Sequence, residues 1–158
     1  MKGFSIHARF VLILTLIAIL PVRVMADHKP ASSIPAAALI QPAAFAGQLQ
    51  SHAQPPPLIL QVGSKSLFDQ AHIVGAQYAG PGGQAEGLAL LKSTVAKLPK
   101  DTAILIYCGC CPWSKCPNIA AAYEELTALD FKRVTVLYIA ENFGADWVDR
   151  GYPVAAID

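Results

Sequence analysis

All four cysteines of this 158-residue chain fall in one short stretch, Cys108-Gly109-Cys110-Cys111-Pro112-Trp113-Ser114-Lys115-Cys116. An apolar β-type run, residues 102–107, leads into it. Behind it Ile119, Tyr123, Leu126 and Leu129 are spaced for one buried helical face, with Asn118 placed as an N-cap. The cysteines therefore occupy a strand-to-helix loop. In an open α/β sheet that loop lies outside the carboxyl end of the strand, where reactive groups gather. Backbone N–H groups at a helix start favour an anion and lower the pKa of a thiol aimed at them.

The rest of the chain alternates in the same way. Residues 42–49 form a short helix, with Pro42 at its first position and Phe45 and Leu49 inward. Residues 58–62 are an apolar strand. Residues 64–70 form a helical turn capped by Ser64, with Leu67 and Phe68 packing. Residues 72–78 return as an extended segment, and Gly80-Pro81-Gly82-Gly83 breaks the chain. Residues 84–98 carry Leu88, Leu91, Val95 and Leu98 at helical spacing. Residues 133–139 are β-rich, and 142–150 suggest a last short helix. Short connections and strands apolar on both faces predict an α/β domain with a parallel sheet flanked by helices.

Residues 1–26 read as a secretory signal. Lys2 and Arg9 make a basic start, 11–20 an apolar core, and Val24-Met25-Ala26 a cleavage site. The mature chain would begin at Asp27, with residues 27–33 as a polar lead-in and 34–158 as one domain. Export implies a periplasmic or other extracytoplasmic location, with no membrane attachment after cleavage. Beyond residue 26, nine Lys and Arg face eleven Asp and Glu, a formal charge of −2. That balance gives no footprint for nucleic acid or an anionic membrane surface.

The order of segments resembles a single-domain rhodanese-like protein. The resemblance rests on Leu58-Ile59-Leu60-Gln61-Val62, His72-Ile73-Val74-Gly75-Ala76, the strand Ile104-Leu105-Ile106-Tyr107 ending in Cys108, Asp130-Phe131-Lys132-Arg133-Val134, Trp147-Val148 and Gly151-Tyr152-Pro153-Val154. It spans residues 34–154. It implies a rhodanese-like fold, no cofactor, and sulfurtransferase chemistry with Cys108 as nucleophile. Cys108 would take a sulfane sulfur from a small donor, hold it as a persulfide and pass it to a thiol acceptor. It also implies a structural role for His72. Three departures mark an exported subgroup. Gln61 and Gly63 stand where the family has Asp and Arg. The loop after Cys108 is longer and has no arginine. It also adds Cys110, Cys111 and Cys116.

The extra cysteines admit three readings: a structural disulfide, resolving thiols that act on Cys108, or a soft-metal site for Cu(I). The function classes divide accordingly between sulfurtransferase, thiol–disulfide oxidoreductase and a non-enzymatic Cu(I)-binding or sulfur-sensing module. Structural zinc lacks its paired C-x-x-C arms. From spacing, Cys110 is poorly placed to bridge Cys108, whereas Cys111 and Cys116 lie further along a loop that folds back, so that one of them can reach it. Gly109, Ser114, Trp113 and Lys115 complete the candidate binding or resolving set. Trp113 either walls the pocket or packs into the core, and Lys115 either attracts an anionic donor or is merely solvated. Pro112 and Pro117 stiffen the loop. A cysteine phosphatase needs an arginine late in the loop, and the sixth position after Cys108 is Ser114.

Overall fold

The computed structural model describes residues 33–52 and 54–156. The expected signal, the start at Asp27, and the lead-in apart from Ser33 lie outside the described residues. A five-stranded parallel sheet runs through the domain in the order β1-β6-β5-β2-β4. The strands are β1 (Leu39–Ile40), β2 (Leu58–Gln61), β4 (Gln77–Tyr78), β5 (Ala103–Tyr107) and β6 (Arg133–Leu137). A separate antiparallel pair joins β3 (His72–Ile73) to β7 (Val154–Ala155). Helices α1 (Pro42–Ser51), α2 (Lys65–Gln70), α3 (Ala85–Val95) and α4 (Asn118–Ala128) complete the order. Among the described residues no helix is long and apolar enough to cross a membrane.

The central strand β5 explains both layers. Side chains alternate between the faces of a strand. Ile104 and Ile106 enter one apolar cluster, with Leu91 and Val95 of α3 and Ile119, Ala122 and Leu126 of α4. Leu105 and Tyr107 enter the other, with Phe45 of α1, Ile73, Phe143 and Trp147. The same alternation puts Cys108 on the α3–α4 face, continuing the row of Ile104 and Ile106.

Several local expectations are corrected. Residues 72–78 do not form one extended segment, because Gly75 at φ +79° turns the chain between β3 and β4. Ser64 stands at the start of α2 without capping it; its hydroxyl meets the Ser66 hydroxyl at 2.7 Å. Leu67 is 38% exposed while Phe68 is buried, since so short a helix buries one side. The last helix is a single wide turn, Gly144–Val148, anchored by buried Trp147, whose indole N–H donates to the Pro153 carbonyl at 2.9 Å. The two-residue strands β1 and β7 were not foreseen.

The loop at 80–83 is packed tightly under the start of α3. A Cβ on Gly87 would stand 2.0 Å from the Pro81 carbonyl oxygen. Glycine-to-alanine changes inside helices ordinarily stabilise, by about 1 kcal/mol. Here the sign reverses: Gly87→Ala is expected to lower the urea midpoint of unfolding. A midpoint at or above wild type would refute this packing.

Candidate active site

Cys108 follows the last residue of β5 and is buried. The chain then turns sharply at Gly109, which sits at φ +75°. Only glycine adopts that conformation without strain. Space demands glycine as well, since a Cβ there would lie 2.7 Å from the Phe143 Cβ, and the Phe143 N–H donates to the Gly109 carbonyl at 3.0 Å. The turn brings the flanking side chains together. Cys108 Sγ and Cys110 Sγ are 3.1 Å apart, and Cys110 Sγ and Cys111 Sγ are 3.4 Å apart. The spacing argument against Cys110 is thereby corrected: its sulfur touches that of Cys108 because Gly109 is left-handed. Cys116 completes the group, with the sulfurs of Cys108, Cys110 and Cys116 all within 4.8 Å of one another. All four cysteines are free thiols.

Asn118 carries a role that sequence reasoning missed. It is the first residue of α4 rather than its cap, and it is buried. Its Oδ1 accepts the Gly83 N–H at 2.9 Å, which fixes the orientation of the amide. The Nδ2 then donates to Cys108 Sγ at 3.3 Å and to Cys110 Sγ at 3.5 Å. The Gly80–Gly83 break permits this approach. A Cβ on Gly82 would lie 2.4 Å from the Asn118 carbonyl oxygen, and one on Gly83 3.1 Å from Asn118 Oδ1.

Gln61 and Gly63 prove to be site residues too. The buried Gln61 amide accepts the Gly63 N–H at 3.2 Å and reaches the carbonyls of Cys108 and Ser64, both at 3.5 Å. A Cβ on Gly63 would meet Cys108 Sγ at 2.9 Å. His72 lies apart from this network. Its ring stacks on Phe68 with centroids 4.0 Å apart, and its Nδ1 is bonded to the Phe68 carbonyl at 2.8 Å.

The thiols share their protons unequally. Cys110, half-buried, collects hydrogen bonds from Cys108 first, then from Cys116, Cys111 and Asn118, and its pKa is lowered far below the ordinary thiol value. Cys108 is pushed up by its bonds to Cys110 and Cys116 and by burial. Cys111 is pushed up to about 12, mainly by burial. At Cys116 the bond with Cys108 lowers the pKa, but the bond with Cys110 and burial outweigh it, so the net shift is upward. The backbone at Asn118 and Ile119 pulls the Cys116 value the other way, but by less. The cluster therefore holds its first thiolate on Cys110, in contact with Cys108.

Trp113, Ser114 and Lys115 form a single 3-10 turn. Ser114 and Lys115 are exposed. Trp113 is half-buried against Tyr138, with ring centroids 4.8 Å apart, and it also borders a small cavity. That cavity, about 10 Å³, is lined by Cys108, Gly109, Cys111, Cys116, Trp113 and the apolar side chains Ile119, Leu137 and Ile139. It has room for about one small atom or water.

No protein-family model matches the chain, and no curated protein does. Solved structures do match. The rhodanese-like domain of Alr3790 from Anabaena sp. is 21% identical, with a TM-score of 0.58 over 76% of this chain and 80% of that one. BH2092 from Bacillus halodurans is 19% identical, with a TM-score of 0.57 over 75% of this chain and 76% of that one. RPA3614 from Rhodopseudomonas palustris, described as a possible tyrosine phosphatase, is 18% identical, with a TM-score of 0.54 over 78% and 86%. The chain is thus a single α/β domain with the fold of rhodanese-like domains, and it carries a cluster of cysteines at the end of the central strand.

A depressed pKa means that the thiolate persists at pH values where an ordinary cysteine is protonated. Iodoacetamide at pH 6 is therefore expected to label Cys110 ahead of the other three, read by peptide mapping. Asn118→Leu removes two N–H···S bonds and is expected to move the Cys110 alkylation profile to higher pH. Equal labelling of all four thiols would contradict the assignment.

Proposed function

We propose that the protein is an exported sulfurtransferase that carries sulfane sulfur as a persulfide on Cys108. The observation behind this reading is that buried Cys108 touches both the Cys110 sulfur, at 3.1 Å, and the Asn118 amide, at 3.3 Å. A sulfur carrier has to be a nucleophile in one step and a leaving group in the next, and both roles require a stabilised thiolate. Cys108 and Cys110 share one proton. As Cys108 attacks the outer sulfur of a donor such as thiosulfate, its proton passes to Cys110. The donor S–S bond breaks, and sulfite leaves with the electron pair. In the second step an acceptor thiolate attacks the outer sulfur of the persulfide. The bond from that sulfur to Cys108 breaks, Cys108 departs as a thiolate held by Asn118, and the acceptor keeps the persulfide. The two steps need no outside oxidant or reductant.

The small cavity beside Cys108 suits a single added sulfur atom and is too small for thiosulfate. A donor therefore enters from the half-exposed Cys110–Cys111 side, and exposed Lys115, the one cation of the loop, attracts an anion to it. Export rests on the basic start, apolar core and Val24-Met25-Ala26 site, and N-terminal sequencing of the mature protein should begin at Asp27.

The same sulfur contact favours one other reading, a thiol–disulfide oxidoreductase that closes Cys108 onto Cys110. Phosphatase chemistry has no support in the loop. It needs a guanidinium there, and Arg133 pairs in register with Ala103 at the opposite end of β5 from Cys108.

Intact mass spectrometry after incubation with thiosulfate separates these readings. Sulfur loading adds about 32 Da per sulfur, whereas disulfide closure removes about 2 Da. Cys108→Ser is expected to abolish loading. Cys110→Ser is expected to slow it by about 100-fold, as loss of a proton acceptor does. Loading that survives Cys108→Ser would overturn the proposal.

A further inference from the structure

We infer that Cys108, Cys110 and Cys116 form a three-coordinate thiolate site for a soft monovalent ion, Cu(I). This goes beyond sulfur transfer, although it uses the same loop. A metal–thiolate bond is about 2.3 Å long. A trigonal ion at that distance holds its three sulfurs about 4 Å apart. Here the Cys108 and Cys110 sulfurs are 3.1 Å apart, and all three lie within 4.8 Å of one another. A trigonal ion thus needs shifts of an ångström or less, on a loop held by Pro112, Pro117 and the Gly109 turn.

The donor set selects the ion. The three ligands are all sulfur, and among the described residues no histidine or carboxylate joins the group. Soft thiolates without hard donors favour Cu(I), while structural zinc takes four tetrahedral ligands. Cys111 is near Cys110 but outside the group of three. The surroundings also match a metal site, where ligands are oriented by outer hydrogen bonds. The Asn118 amide donates to two of the sulfurs, those of Cys108 and Cys110. Donors of this kind temper the negative charge that three thiolates and one monovalent cation leave behind. Gly63, on the far side of Cys108, leaves no side chain to block the cluster.

The test uses the whole reduced protein, titrated with Cu(I) against a colorimetric Cu(I) chelator under anaerobic conditions. One copper per chain is expected, with X-ray absorption showing three sulfurs near 2.3 Å, the usual metal–thiolate distance. Cys110→Ser and Cys116→Ser should each weaken binding at least 10-fold and reduce the sulfur count to two. Cys111→Ser should leave both unchanged. Failure of Cu(I) to compete with the chelator would overturn the inference, as would equal weakening by Cys111→Ser or a four-sulfur zinc complex of higher affinity. Thiosulfate loading of the metal-free protein is measured in parallel. Loading without copper binding would sink this inference and leave the sulfur-transfer proposal standing. Copper binding without loading would do the reverse.

Discussion

A negative sulfur partly withdrawn from water must be solvated in part by the protein itself, and in this chain hydrogen bonds from neighbouring thiols and from Asn118 do so. Burying an unpaired charge is costly, so the donors have to be in place before the charge forms. Asn118 provides them because its carbonyl oxygen is already engaged by the Gly83 N–H, which leaves its NH₂ group facing two sulfurs. The glycine-rich break at 80–83 is thus a part of the site. It lets backbone come within reach of a buried amide that any side chain would push away. Gly87 in turn holds that break against α3, so a contact inside a helix is linked through two loops to the reactive sulfurs.

The strand pattern carries the other half of the arrangement. β5 is apolar on both faces, and its alternation assigns Ile104, Ile106 and then Cys108 to the layer of α3 and α4. A shift of one residue in register would turn Cys108 into the layer of Tyr107, Phe143 and Trp147, away from the Asn118 amide. The chemistry of the loop therefore depends on the hydrophobic packing of the strand beneath it. Phe143 links the two layers: its ring packs with Tyr107 and Trp147 on one side, and its N–H holds the Gly109 carbonyl on the other.

The alternation of strands and helices was legible in the sequence because the elements are long enough for their periods to show. The place of Cys108 was legible for the same reason, since a strand must end where a helix pattern begins. Other features were hidden by short range or by distance along the chain. β1 and β7 have two residues each, too few to carry a period. Asn118 reads as a cap because asparagine before a helix usually is one, and the contact with Gly83 comes from 35 residues away. Cys110 reads as poorly placed to bridge Cys108 because on an extended backbone residues two apart share a face but stand about 6.6 Å from each other. The glycine between them was the available signal, as it is the residue that makes the left-handed turn without strain.

Gln61 at the end of β2, Gly63 just beyond it and the cysteine cluster also belong together physically. Here even a Cβ at residue 63 would come within 2.9 Å of Cys108 Sγ. In this chain a side chain as large as arginine and the buried sulfur of Cys108 would compete for one space. With glycine at 63, an aspartate at 61 would be a buried charge without compensation. Glutamine resolves that: neutral, it accepts the Gly63 N–H and donates toward the Cys108 carbonyl, so it braces the strand end. The neutral brace and the sulfur cluster are thus one arrangement: glycine at 63 leaves room for the Cys108 sulfur, and an uncharged side chain at 61 ties down the backbone beside it without needing a counter-charge.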